Sequence, residues 1–134
     1  PAPMTDNIKD LPLAKLDTLI VNRGEAEALC GAADIDQMTQ QMAALAPQTR
    51  VIVTLGGDGA MLLANGEVTH MNSPNVDVVD TTGAGDTFVG YFLAGVAEGM
   101  NDHDALQRAC LAGSIAVTRQ GAITAIPDRS EVSR

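Results

Sequence analysis

Asp80-Thr81-Thr82-Gly83-Ala84-Gly85-Asp86 runs directly into a segment that carries Phe88, Val89, Phe92, Leu93 and Val96. Apolar residues over so wide an arc predict a buried helix that starts within the glycine-containing stretch. Small residues at a helix start let backbone N–H groups approach an anion, and the positive end of the helix adds to the attraction. The stretch therefore reads as a phosphate cradle. No Gly-Lys-Ser/Thr follows it, and Phe88 stands where a dinucleotide fingerprint has its third small residue, so neither common phosphate-loop pattern is met. Asp86 becomes the informative position, since a carboxylate in the first helical turn beside phosphate-holding N–H groups can take a proton from an attacking hydroxyl. Taken alone, Asp86 would instead be read as a first-turn residue that favours the helix dipole.

Upstream of the cradle, Asp17 to Asn22 is a short apolar run followed at once by the helix-favouring Glu25 to Leu29, a strand leading into a helix. Ile35 to Ala46 reads as a second helix broken at Pro47, with Met38 and Met42 packing one face, and Arg50 to Leu55 as a buried strand. Gly56-Gly57-Asp58-Gly59 is a turn cluster; Ala60–Ala64 and Glu67–Met71 then flank Asn65-Gly66 as a hairpin. An extended stretch through Val76 to Val79 leads back to the cradle. Downstream, Asn101 or Asp102 can cap a last helix with Ala105, Leu106, Ala109, Cys110, Gly113, Ala116 and Val117 at helical spacing. The fold class predicted is α/β, a Rossmann-like sheet with flanking helices, and residues 1–134 read as a single domain.

Bulk properties narrow the function. Apolar residues make up 46% of the 134, with aromatics at 2%, a composition suited to helices packed on a buried parallel sheet. The formal charge of -9, with eight scattered Lys and Arg, argues against a nucleic-acid surface, so any phosphate must be held locally. No apolar run approaches membrane-spanning length and no charged leader precedes one, which predicts a soluble, cytoplasmic protein. Cys30 and Cys110 lack metal spacing and read as small reduced core residues, and the isolated His70 and His103 as surface side chains.

With the apolar helix behind it, Asp80 to Asp86 resembles the C-terminal signature of the ribokinase-like, or PfkB, carbohydrate kinases. Three further segments fall in that family's order: Asn22-Arg23-Gly24-Glu25 resembles its Asn-x-x-Glu motif, Thr54-Leu55-Gly56-Gly57-Asp58-Gly59 its nucleotide-binding Thr-Leu-Gly-x-x-Gly, and Arg119-Gln120-Gly121-Ala122 with Ile126-Pro127 its closing segment. Pro1-Ala-Pro resembles a mid-chain family motif without its Asn.

The resemblance implies an ATP-dependent sugar kinase, ribose being the acceptor suggested by the cradle and the Thr118–Ala122 segment. A nucleoside acceptor of the same superfamily, or a non-catalytic nucleotide-binding module, are the alternatives. By resemblance Asp86 is the general base and the N–H groups of Gly83, Ala84 and Gly85 the anion hole. Asn22 and Thr54, Leu55, Gly56, Gly57, Asp58 and Gly59 face ATP, together with Gly85 and Asp86, while Glu25 organises Mg²⁺. A potassium ion is assigned to Asp80 and Thr82 with the carbonyls of Ala116, Arg119 and Gly121; Ala125 stands where relatives place a Ser ligand. Relatives are roughly twice as long, and their N-terminal half brings a Gly-Gly sugar motif and a β-sheet lid. That half is the expected partner, and a homodimer through the lid is expected of the longer form.

Overall fold

The computed structural model describes residues 12–31 and 34–133; the opening Pro-Ala-Pro lies outside them. Its regular elements, after a 3₁₀ turn at Leu13–Lys15, are β1 (Thr18–Asn22), α1 (Arg23–Cys30), α2 (Ile35–Leu45), β2 (Arg50–Thr54), β3 (Ala60–Ala64), β4 (Glu67–Met71), α3 (Ala84–Ala97) and α4 (Asp102–Ala116). Three further 3₁₀ turns lie at Gly56–Asp58, Ile123–Ala125 and Arg129–Glu131. The described residues divide into two compact units. One runs to Leu55 and takes in Met61–His70; the other comprises Gly56–Ala60 and the chain from Met71 onward.

The sheet has the order β1-β2-β3-β4. Strands β1 and β2 are parallel, with Asn22 opposite Thr54, because the α1–α2 crossover is long enough to return the chain to the same sheet edge. The links from β2 to β3 and from β3 to β4 are too short for a crossover, so those pairs run antiparallel. At the second link Asn65 (φ 53°) and Gly66 (φ 79°) have the positive φ angles of a primed hairpin turn. The sheet is thus mixed, where bulk composition alone favoured a parallel one.

In the first unit Val51, Val53, Met61 and Leu63 pack with Ala26, Leu29 and Cys30 of α1 and Met38 and Met42 of α2. Ile52 and Leu62 are also buried, so the strands are covered on both faces and read as continuous apolar runs. Both helices begin on side-chain caps, α1 at Asn22 and α2 at Asp34.

In the second unit α3 packs on α4. Phe88, Phe92 and Gly95 are buried on α3, and Ala105, Leu106, Ala109, Cys110, Ala112 and Ala116 on α4. The helices approach closely at Gly95, where a Cβ would stand 3.0 Å from that of Ala105. Burial pushes the Cys110 thiol up to about 11. The expectation of burial over the whole apolar arc of α3 needs correction: Leu93 is 48% exposed, while Val89 and Val96 are half-buried. Val76 to Val79 is irregular rather than a strand, with Val78 and Val79 both exposed. Asn101 caps α4 through the Asp104 N–H. Both cysteines are buried and free, and both histidines exposed.

Candidate functional site

Within the second unit, α3 begins where Gly83 turns the chain with φ 75°. That left-handed conformation favours glycine, and Ala122 crowds the position as well: a Cβ on Gly83 would lie 3.2 Å from the Ala122 Cβ. Gly85 differs. It is exposed, and a Cβ built on it would meet nothing within 4 Å. Glycine inside a helix costs roughly 0.5–1 kcal/mol relative to alanine, and here no packing among the described residues calls for it.

The first N–H groups of a helix have no intrahelical partner. Among the described residues those of Gly83 and Gly85 make no backbone hydrogen bond, whereas the Ala84 N–H donates to the Thr81 carbonyl at 3.2 Å. Two of the expected trio of donors are therefore without a backbone partner, and the third is engaged in a long turn bond. Asp86 sits in the same first turn, exposed, with no partner for its carboxylate among the described residues.

Asp80 anchors the cradle to the chain after α4. Its Oδ1 accepts the Thr82 N–H at 2.9 Å and its Oδ2 the Gly121 N–H at 3.0 Å. Hydrogen bonds from the Thr82 hydroxyl and from the Gly121 and Thr82 N–H groups hold the carboxyl down at about 2, against a small opposing effect of desolvation. The Val117 carbonyl accepts the N–H groups of Val79 (2.7 Å) and Asp80 (3.1 Å). Asp80, Thr82, Val117 and Gly121, distant in sequence, thus share one hydrogen-bonded cluster. The Ala116 carbonyl already accepts the Arg119 N–H at 3.1 Å, and Ala125 is fully buried.

In the first unit, Asn22 and Glu25 form a reciprocal capping box: Asn22 Oδ1 accepts the Glu25 N–H at 2.9 Å, and Glu25 Oε2 accepts the Asn22 N–H at 2.8 Å. The spacing read as a nucleotide motif therefore also starts α1. One carboxylate oxygen of Glu25 is committed to this box. The parallel register sets Asn22 and Thr54 side by side at the C-terminal edge of the sheet, the edge at which open α/β sheets bind ligands.

In the turn that follows, Gly56, Gly57 and Asp58 are exposed. Gly59 is required twice over, by its φ of 96° and because a Cβ there would fall 1.9 Å from the Met71 carbonyl oxygen. Among the described residues no group of three or more His, Cys, Asp or Glu could hold a metal, and no helix is long and apolar enough to cross a membrane.

Sequence reasoning passed over three participants: the Val117 carbonyl, Tyr91, whose hydroxyl donates to the Pro127 carbonyl at 2.6 Å, and Glu131, which caps the Asp128 N–H at 2.8 Å and pairs with Arg119. The Asp128-x-x-Glu131 spacing is a capping-box signal that could have marked the last of these.

The model of the pfkB family carbohydrate kinases matches residues 1–129. The chain is 37% identical to a Schizosaccharomyces pombe ribokinase, an alignment covering 85% of this chain and 38% of that protein. It is 39% identical to the aminoimidazole riboside kinase of Salmonella typhimurium, over 92% of this chain and 41% of the relative. The structure of Arabidopsis thaliana ribokinase complexed with ribose and ATP superposes with a TM-score of 0.82 at 36% identity, over 90% of this chain and 40% of that one. The chain accordingly spans about two fifths of the length of these relatives. Cradle, sheet order and these likenesses together place the chain in the pfkB family of carbohydrate kinases.

Proposed function

We propose that residues 1–134 act as one nucleotide-binding and catalytic domain of a sugar kinase, which transfers the γ-phosphoryl group of MgATP to a sugar hydroxyl, with ribose as the acceptor. The observation that carries this reading is the start of α3, where among the described residues the Gly83 and Gly85 N–H groups make no backbone hydrogen bond, a Cβ on Gly85 would meet nothing within 4 Å, and the Asp86 carboxylate has no partner. Gly83 and Gly85 hold the phosphoryl oxygens, and the helix end favours their charge. Asp86 accepts the proton of the attacking hydroxyl. By resemblance to the family, Asn22, Thr54, Leu55, Gly56, Gly57, Asp58 and Gly59 are the further nucleotide-binding residues.

The residues present fit a magnesium ion held largely by phosphate and water. One half-buried carboxylate, Glu25, keeps an oxygen outside its capping bond, and magnesium retains most of its own hydration. When bound, the ion neutralises charge on the phosphate oxygens. For a monovalent cation, Asp80, Thr82 and the carbonyls of Ala116, Arg119 and Gly121 would be the ligands; the Asp80 carboxylate stays ionised there, while the Ala125 methyl supplies no oxygen.

A nucleoside-like acceptor has support of its own in the 39% identity to an aminoimidazole riboside kinase. The test is calorimetric titration of the folded chain with MgATP, followed by a turnover assay of a full-length form with ribose and with a riboside. Asp86→Asn in that form should abolish transfer with MgATP affinity nearly unchanged. Substantial remaining turnover would remove Asp86 from the role of base.

A further inference from the structure

The segment that follows α4 is held from two sides. On one side it buttresses the cradle. The Val117 carbonyl receives the N–H groups of Val79 and Asp80, the Gly121 N–H reaches Asp80 Oδ2 at 3.0 Å, and Ala122 fills the space beside Gly83. On the other side the Arg119 guanidinium donates twice to Glu131, from Nη1 to Oε2 at 3.4 Å and from Nη2 to Oε1 over a shorter distance.

Glu131 Oε2 also accepts the Asp128 N–H, which closes the turn at Arg129–Glu131. That turn is anchored in its own right. Tyr91 donates to Pro127, Arg129 pairs with Glu98 at 3.2 Å, and Val132 is buried. A single carboxylate therefore joins a fixed C-terminal turn to the loop that supports Asp80.

We propose that Glu131 is a positioning residue: through Arg119 it fixes the direction of the Gly121 N–H, and so the placement of Asp80 and the cradle that starts at Thr81. The proposal rests on reading that cradle as a phosphate site. A forked guanidinium–carboxylate pair restrains distance and plane together, which a single hydrogen bond does not. Arg119 lies two residues before Gly121 in a tight turn, so the restraint reaches the amide with little slack. Both partners are more than a third exposed, and exposed pairs add little to global stability; the effect is local order.

The test compares the wild-type chain with Glu131→Gln and with the swapped pair Arg119→Glu plus Glu131→Arg, by amide hydrogen exchange and by MgATP calorimetry. Glu131→Gln should speed Gly121 N–H exchange about fivefold and weaken MgATP binding by a similar factor. Amides in the middle of α4 should be unaffected, and the swapped pair should recover much of both losses. Unchanged Gly121 exchange in Glu131→Gln overturns the proposal, as does faster exchange with undiminished MgATP affinity. The two failures are distinct: no MgATP binding by the folded wild-type chain refutes the phosphate reading and the proposal with it, while normal wild-type binding with an indifferent variant refutes the proposal alone.

Discussion

Replacing Gly85 with alanine separates what the fold needs from what a ligand needs, because the two make opposite demands at this position. Among the described residues a Cβ at Gly85 meets no packing neighbour within 4 Å, and the residue lies in the first turn of α3. The substitution removes freedom from the unfolded chain and adds a better helix former, a gain of about 0.5 kcal/mol in a first turn. In a domain of this size that gain should raise the melting temperature by about 2 °C. A phosphate lying on the Gly83 and Gly85 N–H groups would occupy the space that the methyl enters, and a displaced contact of that kind costs about 1.4 kcal/mol, a tenfold loss of affinity. Scanning calorimetry and MgATP titration on the same sample give both numbers. Gly83→Ala is the control: with φ 75° and Ala122 at 3.2 Å, it should lose roughly 1–2 kcal/mol of stability. The reasoning is refuted if Gly85→Ala lowers the melting temperature, or if it binds MgATP as tightly as the wild type.

Other expectations follow from burial and charge. Phe92→Ala, at a fully buried position in the α3–α4 contact, should cost about 3–5 kcal/mol in urea unfolding, and Leu93→Ala, next to it but 48% exposed, less than about 1 kcal/mol. The folded Asp80 carboxyl titrates at about 2, below the usual carboxylate value of roughly 3.9. Its contribution to stability is therefore present above that ordinary value and lost as pH falls from there through about 2. The stability difference between the wild type and Asp80→Asn should accordingly be full at pH 6 and vanish near the acid end of an unfolding series; a difference that persists unchanged at the lowest pH would contradict the hydrogen bonding of Asp80.

The amino-acid sequence by itself determined the elements and most of their ends. Asn65-Gly66 specified the hairpin, Asn101 or Asp102 the start of the last helix, and the apolar runs 17–22 and 50–55 two strands, each to within a residue of its observed ends. These signals are local: a cap bonds three residues away, and a two-residue turn needs only its own φ angles. The glycine-rich start of α3 was legible for the same reason, since its small residues and the helix start lie within seven positions.

Only the tertiary structure decided what those residues are fastened to. Asp80 is bonded to Gly121, 41 positions on, and Glu131 to Arg119, 12 positions back, pairings that no periodicity encodes. It also distinguished the glycines: Gly59 and Gly83 are each demanded by a positive φ and by a close neighbour, and Gly85 by nothing among the described residues. On α3 it exposed Leu93 while burying Phe92. An apolar side chain carries the same letter whether or not something covers it, and which face is covered depends on residues that meet only after the chain has folded.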